Sequence, residues 1–171
     1  MKGVFWNCRW LRDLAKHTIL HDVAEDNKLD FIALSETNRN SFSTQCLENL
    51  CVGADFVWHW RCPQGISRGM LMGINQGCFE VKNIIDGDYH IKFVLKNKVD
   101  GFLWALLSIY GVAQEKHREH FLSELARACT SCGDLPFLVG GDFNIIRNPS
   151  EKTTQDIITS GHFCLMLLLK H

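Results

Sequence analysis

The chain has 171 residues, of which 46% are hydrophobic and 22% charged, a composition typical of a soluble globular protein with one domain. Its formal net charge is −1, which excludes a global positive field, so any contact with nucleic acid must be local. The apolar stretch at 163–169 is far shorter than the ~20 residues needed to cross a bilayer, so we expect no membrane anchor.

Two strands with polar ends open the chain. Residues 2–6 form a short apolar run that ends at Asn7, which predicts a buried strand. Residues 30–35 form a second such run, and it ends at Glu36. Between the two runs, apolar residues from Leu11 onward keep roughly to one helical face, so a helix is predicted to join the strands.

The next segments alternate helix, strand and loop. A short helix capped by Ser41 or Ser43 is followed by a strand at 56–60 that carries aromatic residues at every second position. Residues 61–69 contain proline and glycines and predict a loop, and extended chain resumes at 70–75. Further turn signals separate the β-rich segments that follow.

Two strands and a helix occupy the third quarter of the chain. Residues 89–96 alternate apolar and polar side chains, so His90, like His59 earlier, is expected in solvent. Residues 102–110 are apolar nearly throughout, which predicts a central strand. A helix is predicted from about 114 to 128. Its inward residues are expected to be Phe121, Leu122, Leu125 and Ala128.

The stretch at 135–148 brings two polar side chains to a strand end. Its apolar run stops at Gly140 and Gly141, too short for a helix, and delivers Asp142 and Asn144 into the following turn. These two side chains either face one ligand together or form an Asx turn, in which the carboxylate accepts backbone N–H groups.

The predicted strand ends therefore share one kind of chemistry. They present Asn7, Glu36, Tyr110, Asp142 and Asn144, all expected on one rim. A hard cation such as Mg²⁺ takes oxygen ligands, commonly only one or two protein carboxylates, and leaves room for water and phosphate. The Glu36 carboxylate and the Asn7 amide oxygen meet that requirement.

The eight cysteines do not change this expectation. They would suit a disulfide framework in a secreted chain, but the N-terminal residues lack the apolar segment and the cleavage site of a secretory signal. We therefore expect reduced thiols and an intracellular location, nuclear or cytoplasmic.

These segments, in this order, resemble the endonuclease/exonuclease/phosphatase superfamily, and more closely the endonuclease domain of plant LINE-type (non-LTR) retrotransposons. The matching segments are VFWNCR (4–9), DFIALSET (30–37), SRGMLMGIN (67–75), LWALLSIYG (103–111), PFLVGGDFNIIR (136–147) and Glu151-Lys152. The resemblance implies an α/β fold, a four-layer sandwich of two mixed sheets flanked by helices. It makes 1–152 the N-terminal part of that domain and 153–171 a divergent tail.

The resemblance also implies an activity, the cleavage of phosphodiesters in DNA with Mg²⁺ or Mn²⁺. Asn7 and Glu36 then correspond to the metal site, and Tyr110 to a phosphate-contacting tyrosine. Asp142 corresponds to the aspartate that orients or deprotonates the attacking water. Asn144 corresponds to the amide that holds a phosphate oxygen as charge builds in the transition state.

Four arginines lie beside these residues or in the connecting loop, and arginine is well shaped for phosphate. They are Arg9, Arg39, Arg68 and Arg147. Contacts of this kind position a nucleic acid without reading its bases.

The chain also departs from the family pattern. No Ser-Asp-His occurs, although the family carries this triplet late in the domain with a histidine that pairs with the attacked phosphate. We therefore expect a C-terminally truncated domain that is impaired by the truncation and inactive as it stands. Trp10 stands where the family usually has glycine, and Met70 where a second glycine is frequent.

Two other functions fit the retained motifs. The first is a member of the same superfamily that acts on RNA or on a phosphorylated small molecule. The second is a non-catalytic remnant that keeps the fold and some affinity for metal or nucleic acid. Activity that depends on Glu36 would separate the enzymes from the remnant.

Two rival sites are also visible in the sequence. A zinc set is less favoured because its two pairs lie roughly two helical turns apart. Its members would be His117, His120, Cys129 and Cys132. The tryptophans at 58, 60 and 104 suit a base-stacking platform or a core, and their alternation along strands favours the core.

Overall fold

The computed structural model describes residues 1–11, 14–51, 53, 55–65, 68–144 and 165–166, with backbone alone at 14, 165 and 166. Within these residues the strands form one sheet of four strands and one of five. The strands are β1 (Gly3–Asn7), β2 (Phe31–Ser35), β3 (Phe56–Arg61), β4 (Met70–Asn75), β5 (Phe79–Asp86), β6 (His90–Asn97), β7 (Leu103–Tyr110), β8 (Phe137–Asp142) and β9 (Leu165–Met166). The helices are α1 (Leu14–Asn27), α2 (Thr44–Glu48) and α3 (Arg118–Thr130), and a 3₁₀ turn covers Glu115–His117.

The first sheet aligns the ends of its strands at one edge. Its order is β1-β2-β4-β3, with β1 parallel to β2 and the other two pairings antiparallel. The register pairs Asn7 with Ser35, Ser35 with Met70, and Met70 with Arg61. Glu36 follows β2 directly and therefore emerges beside Asn7.

The second sheet delivers a matching pair of side chains. Its order is β5-β6-β7-β8-β9, and β7 runs parallel to β8. The register pairs Tyr110 with Asp142, the last residues of these two strands. The nearly continuous apolar run at 102–110 predicted a central strand, and the position of β7 confirms it.

Apolar side chains from both sheets fill the space between them. Phe5, Phe31 and Met72 from the first sheet pack with Phe93 and Leu106 from the second. A second cluster joins the outer face of the first sheet to α1, and a third joins β7 and β8 to α3. These layers confirm the predicted α/β sandwich of two mixed sheets with helices outside.

The tryptophans on strands belong to the packed interior, as their alternation predicted. Trp58 and Trp60 are partly buried against the helix-side cluster of the first sheet. Trp104 is 6% exposed, packs edge-on against Phe79 and donates its indole N–H to Asn97 Oδ1 at 2.9 Å.

Two predictions about the second sheet are wrong. His90 is buried rather than solvated, because α3 covers that face of β6 and places the Glu124 carboxylate 2.7 Å from the His90 ring. Leu122 is 45% exposed, because Glu124 takes the inward position on α3 instead. The Asp88 and Tyr89 N–H groups in the turn before β6 require an acceptor, which Glu124 supplies.

Two further observations concern the described part of the chain, which includes only 165–166 of the apolar stretch at 163–169. The seven cysteines in it are free thiols. No helix in the described ranges is both long and apolar enough to span a membrane.

Candidate metal and phosphate site

The Asn7 amide joins the two sheets at their common rim. Its Nδ2 donates to Glu36 Oε1 at 3.0 Å and to Asp142 Oδ2 at 2.6 Å. Tyr110 donates its hydroxyl to the same Glu36 Oε1 at 3.2 Å. Four strands thus bring two carboxylates, an amide and a phenol together, as the strand ends predicted.

The turn that carries Glu36 is fixed by its backbone. Glu36 has a φ of +57°, a conformation that non-glycine residues rarely adopt, and the residue is 8% exposed. Its carbonyl accepts the Trp10 N–H at 2.8 Å, and the next residue, Thr37, donates its N–H to Gly69 O at 3.3 Å. The carboxylate is therefore held at the mouth of the site by two neighbouring loops.

The turn after β8 is an Asx turn that still presents a carboxylate oxygen. Asp142 Oδ1 accepts the Asn144 N–H at 3.0 Å, while Oδ2 faces Asn7. Phe143 packs back into the α3-side cluster. The two interpretations of the Asp-Phe-Asn segment are therefore compatible, because each uses a different oxygen.

The Asn144 side chain is anchored to the neighbouring strand end. Its Nδ2 donates to Gly111 O at 3.0 Å, and the Gly111 N–H donates to Asp142 O at 2.7 Å. Asn144 has a φ of +50°, so these bonds stabilise a conformation that costs energy. A carboxamide carries two N–H donors, and one is used here.

The electrostatics of the site favour a cation and a neutral phenol. Burial and then the Glu36 charge raise the pKa of the Tyr110 hydroxyl above its ordinary value, so Tyr110 remains a donor at neutral pH. Glu36 Oε2 faces Arg68 Nη1 at 3.2 Å. The nearby Cys8 thiol is not a nucleophile, because burial raises its pKa to about 12.

Comparison with known proteins assigns the amino-acid sequence to a family. Residues 4–161 match the Endonuclease/Exonuclease/phosphatase family. The chain belongs to this family. No curated protein matches the sequence.

Solved structures with the same fold are distant in sequence. The human Nocturnin catalytic domain, solved with bound sulfate, is 16% identical with a TM-score of 0.63, over 84% of this chain and 64% of that one. A mannosyl-6-phosphatase of Bacteroides thetaiotaomicron is 13% identical with a TM-score of 0.59, over 84% and 65%. TDP2 of C. elegans is 14% identical with a TM-score of 0.55, over 84% and 48%. The chain spans less than two thirds of each, and the likeness shows the fold alone.

The predicted phosphate-binding arginines of this family member lie in different surroundings. Arg9 is exposed and donates its backbone N–H to Asn7 Oδ1 at 3.2 Å. Arg68 contacts Glu36, whereas Arg39 donates to Cys46 Sγ at 3.0 Å and lies over the Phe42 ring. Arg147 lies outside the described residues. The phosphate roles of all four remain predictions.

Lys16 contacts the loop beside the site, a role that the apolar periodicity of α1 does not predict. Its Nζ donates to Cys8 O at 2.7 Å and to Arg9 O at 2.6 Å. These bonds hold the loop that follows β1. Sequence periodicity could not reveal them, because the acceptors are backbone atoms outside the helix.

The donor set of the site suits a hard divalent cation. Glu36 and Asp142 offer carboxylate oxygens, which Mg²⁺ and Mn²⁺ prefer over sulfur or imidazole. The Asn7 amide directs Nδ2 at both carboxylates and its oxygen at the Arg9 N–H, so it would have to rotate to place that oxygen at a cation. Arg68 already brings one positive charge to the Glu36 carboxylate.

A second group of side chains lies away from this rim. Ligand atoms of Asp88, His120 and Glu124 lie within 4.8 Å of one another and could hold an ion. Both Glu124 oxygens already accept hydrogen bonds from the turn before β6. In the described part of the chain, the proposed zinc pairs do not form such a group, and Cys132 Sγ donates to Ala128 O instead.

Proposed function

We propose that this chain is a divalent-metal-dependent phosphodiesterase domain that acts on DNA, with Mg²⁺ or Mn²⁺ as its ion. The observation that supports this most strongly is the Asn7 amide, which joins the Glu36 and Asp142 carboxylates across two sheets. Carboxylates converge in this way at a cost in repulsion, which a bound cation would offset.

Each side chain has a role in this proposal. Asn7 and Glu36 hold the ion, which supplies Lewis-acid stabilisation of the phosphoryl oxygens when bound. Asp142 orients the attacking water and accepts its proton. Asn144 donates its second amide N–H to a phosphate oxygen as negative charge develops, and Tyr110 contacts the phosphate from the end of the neighbouring strand.

DNA as the substrate, and an origin in a LINE-type retrotransposon, rest on the resemblance of six segments in order. The exposed Arg9 and Arg68 beside the site support a polyanionic substrate. We further propose that the 171-residue chain cleaves slowly, because it contains no Ser-Asp-His triplet and so no histidine in that role.

A phosphorylated small molecule is the second candidate substrate. One structural neighbour is a mannosyl-6-phosphatase, so this fold accommodates a sugar phosphate in that protein. Release of inorganic phosphate from sugar phosphates, measured beside DNA cleavage in the same preparation, distinguishes the two substrates.

The test is nicking of supercoiled DNA with Mg²⁺ or Mn²⁺, repeated with EDTA. Glu36→Gln keeps the shape of the side chain but removes its charge. Loss of a residue that only orients a metal ligand lowers activity by up to about a hundredfold, so loss of a ligand itself should lower it by at least about that factor. The matched control is Glu80→Gln, which removes an exposed carboxylate on β5 and should leave the rate unchanged. Equal activity of Glu36→Gln and the parent would contradict the proposal, and no cleavage by either would favour the remnant.

A further inference from the structure

Trp10 is an exposed aromatic residue beside the candidate site. Its side chain is 56% exposed, although most tryptophan surface is buried in folded proteins. The Trp10 N–H donates to the carbonyl oxygen of Glu36 at 2.8 Å, and the residue follows Asn7 by three positions. The neighbouring Arg9 N–H donates to Asn7 Oδ1 at 3.2 Å, so the Arg9-Trp10 backbone contacts both proposed metal-binding residues.

The backbone at Trp10 is held in an unfavourable conformation. Its φ is +76° and that of Arg9 is +39°. Glycine adopts positive φ without steric cost, whereas a bulky side chain is strained there. The two hydrogen bonds from Lys16 to the Cys8 and Arg9 carbonyls stabilise this loop. The chain thus holds an exposed indole at a position where glycine would adopt the backbone conformation at lower cost.

The exposed Trp10 ring adds little to the core, so folding stability does not explain the strained backbone at this position. Binding of a ligand to the ring explains it more readily. The charged side chains near the candidate site indicate the ligand. Arg9 is exposed next to Trp10, and the Arg68 side chain is 58% exposed where it meets Glu36. An aromatic face with guanidinium groups beside a phosphodiester site suits a nucleotide whose base is unpaired.

We propose that Trp10 is a stacking platform for an unpaired nucleobase beside the phosphodiester bound at Glu36 and Asp142. The preferred substrate is then single-stranded or locally unwound nucleic acid, because a base within a duplex has both faces covered by its neighbours. This inference rests on the proposed phosphodiesterase function and narrows its substrate class.

Trp10→Gly tests the proposal without threatening the fold, because glycine tolerates the backbone conformation at this position. Binding is measured by fluorescence anisotropy with a single-stranded DNA oligonucleotide and with an abasic oligonucleotide of equal length. An Asp142→Asn background with Mg²⁺ prevents cleavage. Trp10→Gly should weaken binding of the base-containing strand roughly five- to hundredfold and leave the abasic strand nearly unaffected.

The matched control is Phe102→Ala, which removes a ring that is 49% exposed next to the end of β7 opposite Tyr110. It should bind both strands as the parent does. The inference would be overturned if Trp10→Gly lost the same affinity for both strands or lost none. It would also be overturned if the parent bound the abasic strand as tightly as the base-containing strand. Base-dependent binding through Trp10, together with no DNA cleavage by the chain that retains Asp142, would instead contradict the phosphodiesterase function alone.

Discussion

At the scale of single residues, a close backbone approach sets the position of Asn144. A Cβ on Gly111 would lie 2.1 Å from Phe143 O, so only glycine lets these two segments meet. The same approach allows the Gly111 N–H to reach Asp142 O, and Asn144 Nδ2 to reach Gly111 O. The turn that carries Asp142 and Asn144 therefore depends on a residue without a side chain.

Gly111→Ala should lower both stability and activity. The added methyl group must displace the Phe143 backbone, which breaks the bonds that orient Asp142 and Asn144, at a cost of about 1–3 kcal/mol. Urea denaturation measures the free energy of unfolding, and DNA nicking measures the site. Gly77→Ala is the control, since its Cβ would meet only the Asn75 side chain. Parent-like stability of Gly111→Ala would show that the turn relaxes freely.

The site residues were predictable one by one, but their partners were not. A polar residue after an apolar run indicates a strand end, which was enough to select Asn7, Glu36, Tyr110 and Asp142. That Asn7 would donate to both carboxylates depends on residues 29 and 135 positions away. Such contacts follow from strand register, which local patterns do not specify.

At the scale of elements, Glu124 fastens α3 to the turn before β6. Its Oε1 accepts the Tyr89 N–H at 2.9 Å and faces the His90 ring at 2.7 Å, while Oε2 accepts the Asp88 N–H at 3.0 Å. Apolar periodicity predicted this helix and its inward residues Phe121, Leu125 and Ala128, but it placed Leu122 inward and missed Glu124. A buried acceptor for three donors outweighed the apolar character of Leu122.

Glu124→Gln should destabilise the protein by about 1–3 kcal/mol at pH 7, because the new amide group would face a backbone N–H with another donor. The control Glu119→Gln on the same helix removes an exposed carboxylate and should stay within about 0.5 kcal/mol. Urea denaturation of both variants provides the comparison. A neutral effect of Glu124→Gln would mean that the turn finds other acceptors.

The same carboxylate predicts a pH dependence. Burial alone would raise the Glu124 pKa, but the Tyr89 N–H, the His90 ring and the Asp88 N–H outweigh burial and lower it. A lowered carboxyl pKa contributes stability that is present above the unfolded value of about 4.3 and is lost as pH falls through the folded value. Below about pH 4.5, the free energy of unfolding should therefore fall less steeply with decreasing pH in Glu124→Gln than in the parent, which urea denaturation at several pH values measures.

At the scale of the whole molecule, the site is a seam between two sheets. Asn7 belongs to the first sheet and Asp142 to the second, and their side chains meet at 2.6 Å. The α/β class followed from alternating strand and helix patterns. The strand order β1-β2-β4-β3 did not, because pairing of β2 with β4 joins segments separated by α2 and β3.

The net charge of −1 leaves nucleic-acid binding to few local contacts, which predicts a shallow dependence on salt. Four arginine contacts to a single strand would give a slope of log K against log salt of about −3, at about 0.7 for each phosphate. Anisotropy titrations of Asp142→Asn at several salt concentrations measure this slope.

Arg68→Ala should reduce the magnitude of the slope by about 0.7, because one phosphate contact is lost. Trp10→Gly should weaken binding at unchanged slope, because stacking releases no counterions. A slope steeper than about −5 would instead require a broad basic surface, which this composition does not provide.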